Sequence, residues 1–297
     1  MSESKPAIGC AGAGVLGSAI IRRLLDRDFS VTVWNRDREK LRSLIALGAI
    51  PAETPAALAK SSEFVLTCVT AGTAVEAIVF GEDGVASAGA PGKLLIDMST
   101  VDANHTRDMA TRLRESCAMG WLDAPISGGA PAALEGAMAV MVGGAEQDFA
   151  HARPVWDALA GRCTLMGATG AGQTTKMVNQ VLVSCTFAVL AEACGLAERA
   201  GVDASRIPQA LEGGRADSRL LQEFFPKMAN SDFSLESTIA IMMKDLDMIR
   251  DLAKTVDAKI PVTDVATDLH RMMIDDGFGD RDMSELVTPY RARRQID

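Results

Sequence analysis

Seven short apolar runs, separated by amphipathic stretches, fill the first 165 or so residues, and this alternation limits the possible folds more than any other feature. The runs are AIGCAG (7–12), SVTVW (30–34), FVLTCV (64–69), KLLIDM (93–98), GWLDAP (120–125), AMAVMVGG (137–144) and CTLMG (163–167). Their length and β-branched content suit buried strands, whereas the intervening segments, such as SAIIRRLLDRDF, carry apolar residues at helical spacing. Punctuation agrees: Thr54 followed by Pro55 reads as an N-cap with proline at the first helical position. Strand–helix alternation of this kind predicts a parallel, doubly wound α/β sheet.

Beyond Gly172 the strand-like runs stop and long helical patterns take over, at 173–200, 203–213, 216–230, 236–257 and 261–276. Gly201 is placed to close the first of these and Asp203 to cap the next. The glycine-rich GATGAG (167–172) is therefore the expected boundary, giving a nucleotide-binding type of domain over 1–166 and an all-helical domain over 167–297, joined by a long helix. The tail from Gly277 reads as a short terminal helix with a charged end.

A net charge of −9 argues against nucleic acid as the main partner, so an anionic ligand must be held by local donors. The start, MSESKPAIGCAGAG, lacks a cationic segment followed by a long apolar one, and no uninterrupted apolar run is long enough to span a membrane. Val181–Leu196 comes nearest, broken by Ser184, Thr186 and Glu192. A cytoplasmic protein without a membrane partner is expected. Six cysteines without a C-x-x-C pair read as thiols in a reducing compartment, and His105, His151 and His270 lack ligand spacing, so no metal is expected.

GAGVLG, Gly12 to Gly17, follows the first strand and opens the first helix. Glycines there let the chain turn tightly and bring backbone N–H groups to a pyrophosphate at a helix N-terminus. The loop therefore marks Gly12, Ala13, Gly14, Val15 and Leu16 as dinucleotide contacts. At the end of the second strand, where an NAD-binding fold places an acid on the ribose diol, stand Asn35 and Arg36. A guanidinium suits a 2′-phosphate, which favours NADP and leaves NAD possible. Asp37 would restore the acid if the register shifted by one residue, and Arg36 and Arg38 also read as a solvated loop.

Two further stretches carry chemistry. DAPISGG offers the Ser127 hydroxyl and the amides of Gly128 and Gly129, donors that can hold a carboxylate without a net charge, although alone it is also an ordinary turn. In GAGQTTKMVNQ, Lys176, Asn179 and Gln180 share one helical face. An isolated lysine there would snorkel to water. Beside a dinucleotide site it can supply the proton that carbonyl reduction needs, while the amides hold amine and substrate in register.

With GAGVLG, DAPISGG, GAGQTTKMVNQ and KDLDM (Lys244 to Met248) in this order, the chain resembles the β-hydroxyacid dehydrogenase family, which includes 3-hydroxyisobutyrate dehydrogenases and tartronate semialdehyde reductases. The resemblance covers nearly the whole length. It implies an N-terminal Rossmann domain, a helical C-terminal domain like that of 6-phosphogluconate dehydrogenase, and assembly as a homodimer or homotetramer. By the same resemblance, Lys176 is the general acid/base. Ser127, Gly128 and Gly129 bind the substrate carboxylate, Asn179 orients the substrate with Gln180 beside it, and Thr100 lies near nicotinamide and substrate. Val69, Thr70 and Lys244 touch the cofactor, and Asp247 sits beside Lys244. Two departures stand out: the glycine loop lacks the usual methionine, and Gln180 replaces a second asparagine.

The expected activity is NADP-preferring interconversion of a small 3-hydroxy acid and its semialdehyde. The alternatives are an imine reductase, whose relatives carry aspartate or tyrosine in place of Lys176, and a non-catalytic cofactor-binding scaffold. Arg215, Ser218, Arg219 and Phe233 are candidates for the far end of the substrate pocket, with a solvated helix face as the other reading of the arginines.

Overall fold

The structure, a computed structural model, describes residues 5–291. It divides into two compact units, Met1–Lys176 and Met177–Asp297. The first is built on nine strands: β1 (Ile8–Ala11), β2 (Val31–Trp34), β3 (Ile50–Pro51), β4 (Phe64–Thr67), β5 (Leu94–Asp97), β6 (Gly120–Asp123), β7 (Ile126–Ser127), β8 (Met138–Gly143) and β9 (Ala160–Gly167). They lie in the order β3-β2-β1-β4-β5-β6-β8-β7, with β9 beside β8. From β3 to β6 every pairing is parallel; β8 then runs antiparallel to β6 and β7 and parallel to β9.

The helices of this unit are α1 (Val15–Asp26), α2 (Arg42–Ile45), α3 (Pro55–Lys60), α4 (Gly72–Phe80), α5 (Ala103–Cys117), α6 (Gly129–Glu135), α7 (Glu146–His151) and α8 (Arg153–Leu159). Successive strand side chains go to opposite faces. Ile8, Cys10, Phe64, Leu66, Leu94 and Ile96 join the core under α1, α6 and α8. Ala11, Val65 and Leu95 join a second core with Leu58, Val75 and Met109 of α3, α4 and α5. Burial on both faces is why these strands read as continuous apolar runs.

The seven sequence-read strands are all present. Two more, β3 and β7, have only two residues each and no period of their own; β3 is an exposed edge pair ending in Pro51. As read, Thr54 caps α3, accepting from the Ala57 N–H, with Pro55 at the first turn.

In the second unit α9 (Ala171–Arg199), which begins in the first, is followed by α10 (Ile207–Leu211), α11 (Arg219–Asn230), α12 (Ile239–Thr255), α13 (Pro261–Asp275) and a 3₁₀ segment (Met283–Tyr290). Gly201 has φ +76°, and Asp203 caps the next turn by accepting from the Ser205 N–H. Phe187, Leu190, Ala191 and Cys194 of α9 pack with Phe225, Met228, Leu246, Ile249, Met273 and Leu286 into one core. α12 and α13 are clipped together by Arg250, which bonds Asp264 and Asp268.

Candidate active site

In open α/β sheets ligands collect beyond the carboxyl ends of the strands where the strand order reverses, here around β1. The GAGVLG loop stands there. Gly12 has φ +113°, and a Cβ on it would come within 2.3 Å of the Cys68 carbonyl oxygen. At Gly17 a Cβ would meet the Gly12 carbonyl oxygen at 2.2 Å, so these two glycines let the loop turn tightly onto the sheet. Gly14, the residue before α1, has open space where its Cβ would be, and Val15 is 85% exposed. An uncovered helix N-terminus approached by bare backbone fits the pyrophosphate of a dinucleotide.

The residues at the end of β2 are engaged in local bonding. Asn35 Oδ1 accepts from the Ala13 N–H (2.9 Å) and its Nδ2 donates to the Asp37 carbonyl (2.7 Å), so Asn35 ties β2 to the glycine loop. The Asp37 carboxylate caps the following 3₁₀ turn, accepting from the Glu39 N–H. Arg38 is paired with Glu53, while Arg36 lies exposed.

Beyond β4, β5 and β6 a hydrogen-bonded lattice joins the strand ends to the start of α9. Asp97 Oδ1 accepts from Thr67 Oγ1 (2.8 Å) and from the Ser99 N–H (3.0 Å), and Ser99 Oγ accepts from the Val69 N–H (3.1 Å). Asp97 is buried with Oδ2 unpartnered, and burial pushes its pKa up to about 6, despite the Ser99 and Thr67 donors. On the neighbouring strand Asp123 accepts from the N–H groups of Gly170 (2.7 Å) and Gln173 (2.9 Å). Burial raises its pKa too, opposed by those backbone donors. A carboxylate from β6 thus serves as the cap of α9.

Three residues past this cap, Lys176 is 8% exposed and donates from Nζ to the Ile126 carbonyl at 2.9 Å. Ile126 immediately precedes Ser127, Gly128 and Gly129, and both glycines have positive φ, +114° and +63°. The two stretches singled out separately in the sequence, DAPISGG and the lysine helix, therefore meet through this bond. Thr100 lies between Ser99 and Val101, both of which are bonded to the Gln173 side chain. Val69 belongs to the lattice through its N–H, and Thr70 is exposed one residue on.

Within the second unit, Asn179 Nδ2 donates to Gln180 Oε1 (2.7 Å), and Gln180 Nε2 donates to Asp245 Oδ2 (2.6 Å). Lys244 Nζ stands 3.2 Å from Asp245 Oδ1. Asp245 thus meets both Gln180 and Lys244, and Asp247, three residues past Lys244 on the same helix, pairs with Arg271. Ser218 is spent as the N-cap of α11, accepting from the Leu221 N–H, and Arg219 pairs with Glu223 along an exposed helix face. Phe233 packs against the core of the second unit, and Arg215 is exposed. Among the described residues no three His, Cys, Asp or Glu side chains gather as a metal site.

Sequence reading passed over Asp97, Asp123, Ser99 and Gln173. An acid ending an otherwise apolar strand, as in LLID and GWLD, is the signal that could have found the first two.

Residues 7–167 match the NAD binding domain of 6-phosphogluconate dehydrogenase, and residues 170–290 match the NAD-binding domain of NADP-dependent 3-hydroxyisobutyrate dehydrogenase. The chain is 33% identical over 282 residues to a 2-hydroxy-3-oxopropionate reductase of Escherichia coli, covering 94% of this chain and 95% of that one. It is 32% identical to an L-threonate dehydrogenase of Cupriavidus necator, over 94% of each. Among solved structures it is similar to a 3-hydroxyisobutyrate dehydrogenase from Salmonella typhimurium, with TM-score 0.87, 28% identity, and 96% of this chain and 100% of that chain covered. The chain belongs to the β-hydroxyacid dehydrogenase family. It is an NAD(P)-dependent oxidoreductase acting on a small molecule.

Proposed function

We propose that the protein interconverts a small 3-hydroxy acid and its semialdehyde, with NADP preferred and Lys176 as general acid/base. The observation that carries this reading is the buried Lys176 amine, 2.9 Å from the Ile126 carbonyl and so held against the Ser127–Gly129 donor loop. The substrate carboxylate is taken by Ser127 and the amides of Gly128 and Gly129. The bound nicotinamide supplies or accepts the hydride at the carbon. In reduction, Lys176 as ammonium gives its proton to the substrate oxygen; in oxidation, the neutral amine removes it. Thr100 borders the reacting group, and Asn179, on the lysine's helix face, orients the substrate.

Support for NADP comes from the spent side chains around Arg36. Asp37 is occupied as a cap and Arg38 by Glu53, so the exposed Arg36 guanidinium is the group suited to a 2′-phosphate. The presence of Lys176 also weighs against imine reduction and against a silent scaffold.

The protein is further proposed to act in the cytoplasm as a homo-oligomer. α9 is, among the described residues, long and apolar enough to cross a membrane by length and composition, yet Phe187, Leu190 and Cys194 lie in the core of the second unit. Its exposed Leu182, Val189 and Leu196 recur every seven residues, the spacing of a helix that pairs with another helix. We assign that stripe to contact with a second copy.

The test is steady-state turnover of C3 to C5 semialdehydes and hydroxy acids with NADPH and NADH, for the wild type and Lys176→Ala. Higher kcat/KM with NADPH is expected, with turnover about 10²–10⁴-fold lower in the variant and cofactor affinity unchanged. Equal turnover by Lys176→Ala would remove the proposed acid/base.

A further inference from the structure

We infer that Gln173 is a positioning residue that sets Thr100 against Lys176. The inference rests on the reading of Lys176 and Thr100 just given, and it assigns a role to a side chain outside that reading. Gln173 has no exposed surface. Its Oε1 accepts from the Val101 N–H (3.1 Å) and its Nε2 donates to the Ser99 carbonyl (2.9 Å). The amide therefore takes the backbone donor after Thr100 and the backbone acceptor before it, as a neighbouring strand would.

The same residue is held from the other side, because its own N–H donates to Asp123 Oδ2 (2.9 Å). Gln173 also lies three residues before Lys176, on the same side of α9. One residue thus links three elements, its side chain holding the segment after β5, its backbone N–H meeting the end of β6, and both standing at the start of the helix that carries the lysine. Ser99 is held at three groups: its N–H on Asp97, its hydroxyl by the Val69 N–H and its carbonyl by Gln173.

The chemistry requires glutamine at this place. Both a donor and an acceptor are needed, which an ionised glutamate cannot provide. The reach is two methylenes, which asparagine lacks. Methionine fills the volume with neither group. Losing the clamp lets the 99–101 segment drift, and a misplacement of about 1 Å at a reacting centre costs about 10²-fold in rate.

The experiment compares wild type with Gln173→Met and, as a second variant should methionine fail to fold, Gln173→Asn. Four quantities are read: kcat and KM on a semialdehyde that the wild type reduces, the dissociation constant of NADPH, the melting temperature, and hydrogen exchange at the Val101 amide. Expected are a 10- to 100-fold fall in kcat, NADPH affinity within about threefold of wild type, a melting temperature within a few degrees, and faster exchange at Val101. Unchanged kcat would overturn the inference, as would parallel losses in kcat, cofactor affinity and melting temperature, which mark a merely structural role. If the wild type reduces no semialdehyde, the proposed reaction fails by itself. The clamp is then decided by exchange at Val101, and unaltered protection in the variant overturns it.

Discussion

A carboxylic acid sealed at the end of an apolar strand must either be well bonded or keep its proton, and Asp97 has half of the bonding it needs. Both of its donors, Thr67 Oγ1 and the Ser99 N–H, reach Oδ1, and Oδ2 has no partner. Burial, with the nearby Asp123 adding to it, raises its pKa from 3.8 to about 6. Between these values the folded chain binds more protons than the unfolded one, so this group's contribution to stability is fully present below about pH 4. It is lost as pH rises through about 6, amounting to up to about 3 kcal/mol. Asp97→Asn retains an acceptor for Thr67 and Ser99 and removes the titration. Thermal melts from pH 4 to 8 are expected to show the variant gaining on wild type as pH rises; a constant difference would mean that Asp97 does not titrate there. Nothing in LLID reveals this behaviour, because the sequence gives the acid but not the desolvation around it.

At the scale of elements, the position of the lysine depends on how α9 begins. Asp123, nearly fifty residues earlier in the chain, takes the N–H groups of Gly170 and Gln173 at its start. Asp123→Ala leaves two buried N–H groups without an acceptor. A loss of about 2–4 kcal/mol in urea unfolding is expected, with increased hydrogen exchange over 170–173. Asp123→Asn keeps one acceptor and is expected to lose less. A fully stable alanine variant with intact protection would show that α9 is capped by something else. The helix itself was readable from its spacing. Its cap was not, since contacts between distant strands leave no periodic trace.

The first unit buries an apolar cluster on each face of its sheet and the second unit one core, and the second leaves one face of its longest helix uncovered. Leu182, Val189 and Leu196 are each more than 60% exposed, and the proposed contact with a second copy rests on this concentration of large apolar groups. Leu182→Glu combined with Leu196→Glu is expected to shift the protein to a monomer in sedimentation velocity while each unit remains folded. A wild type that sediments as a monomer would remove the assignment. The sequence contains these residues, but in the linear pattern they are indistinguishable from the core residues Phe187, Leu190 and Cys194 beside them. Only a packed structure separates the two faces.

Local rules were enough for the parallel sheet, the helical second half and the glycine loop, because strand period, helix period and glycine stereochemistry operate within a few residues. Tertiary structure alone decided that Lys176 reaches the Ile126 carbonyl, that Asn35 braces the glycine loop, and that Gln173 reaches across to the backbone around Thr100. Those choices depend on which distant groups come within about 3 Å of one another. Hydrogen bonding is short-ranged in space and indifferent to separation along the chain, so the order of residues could not disclose them.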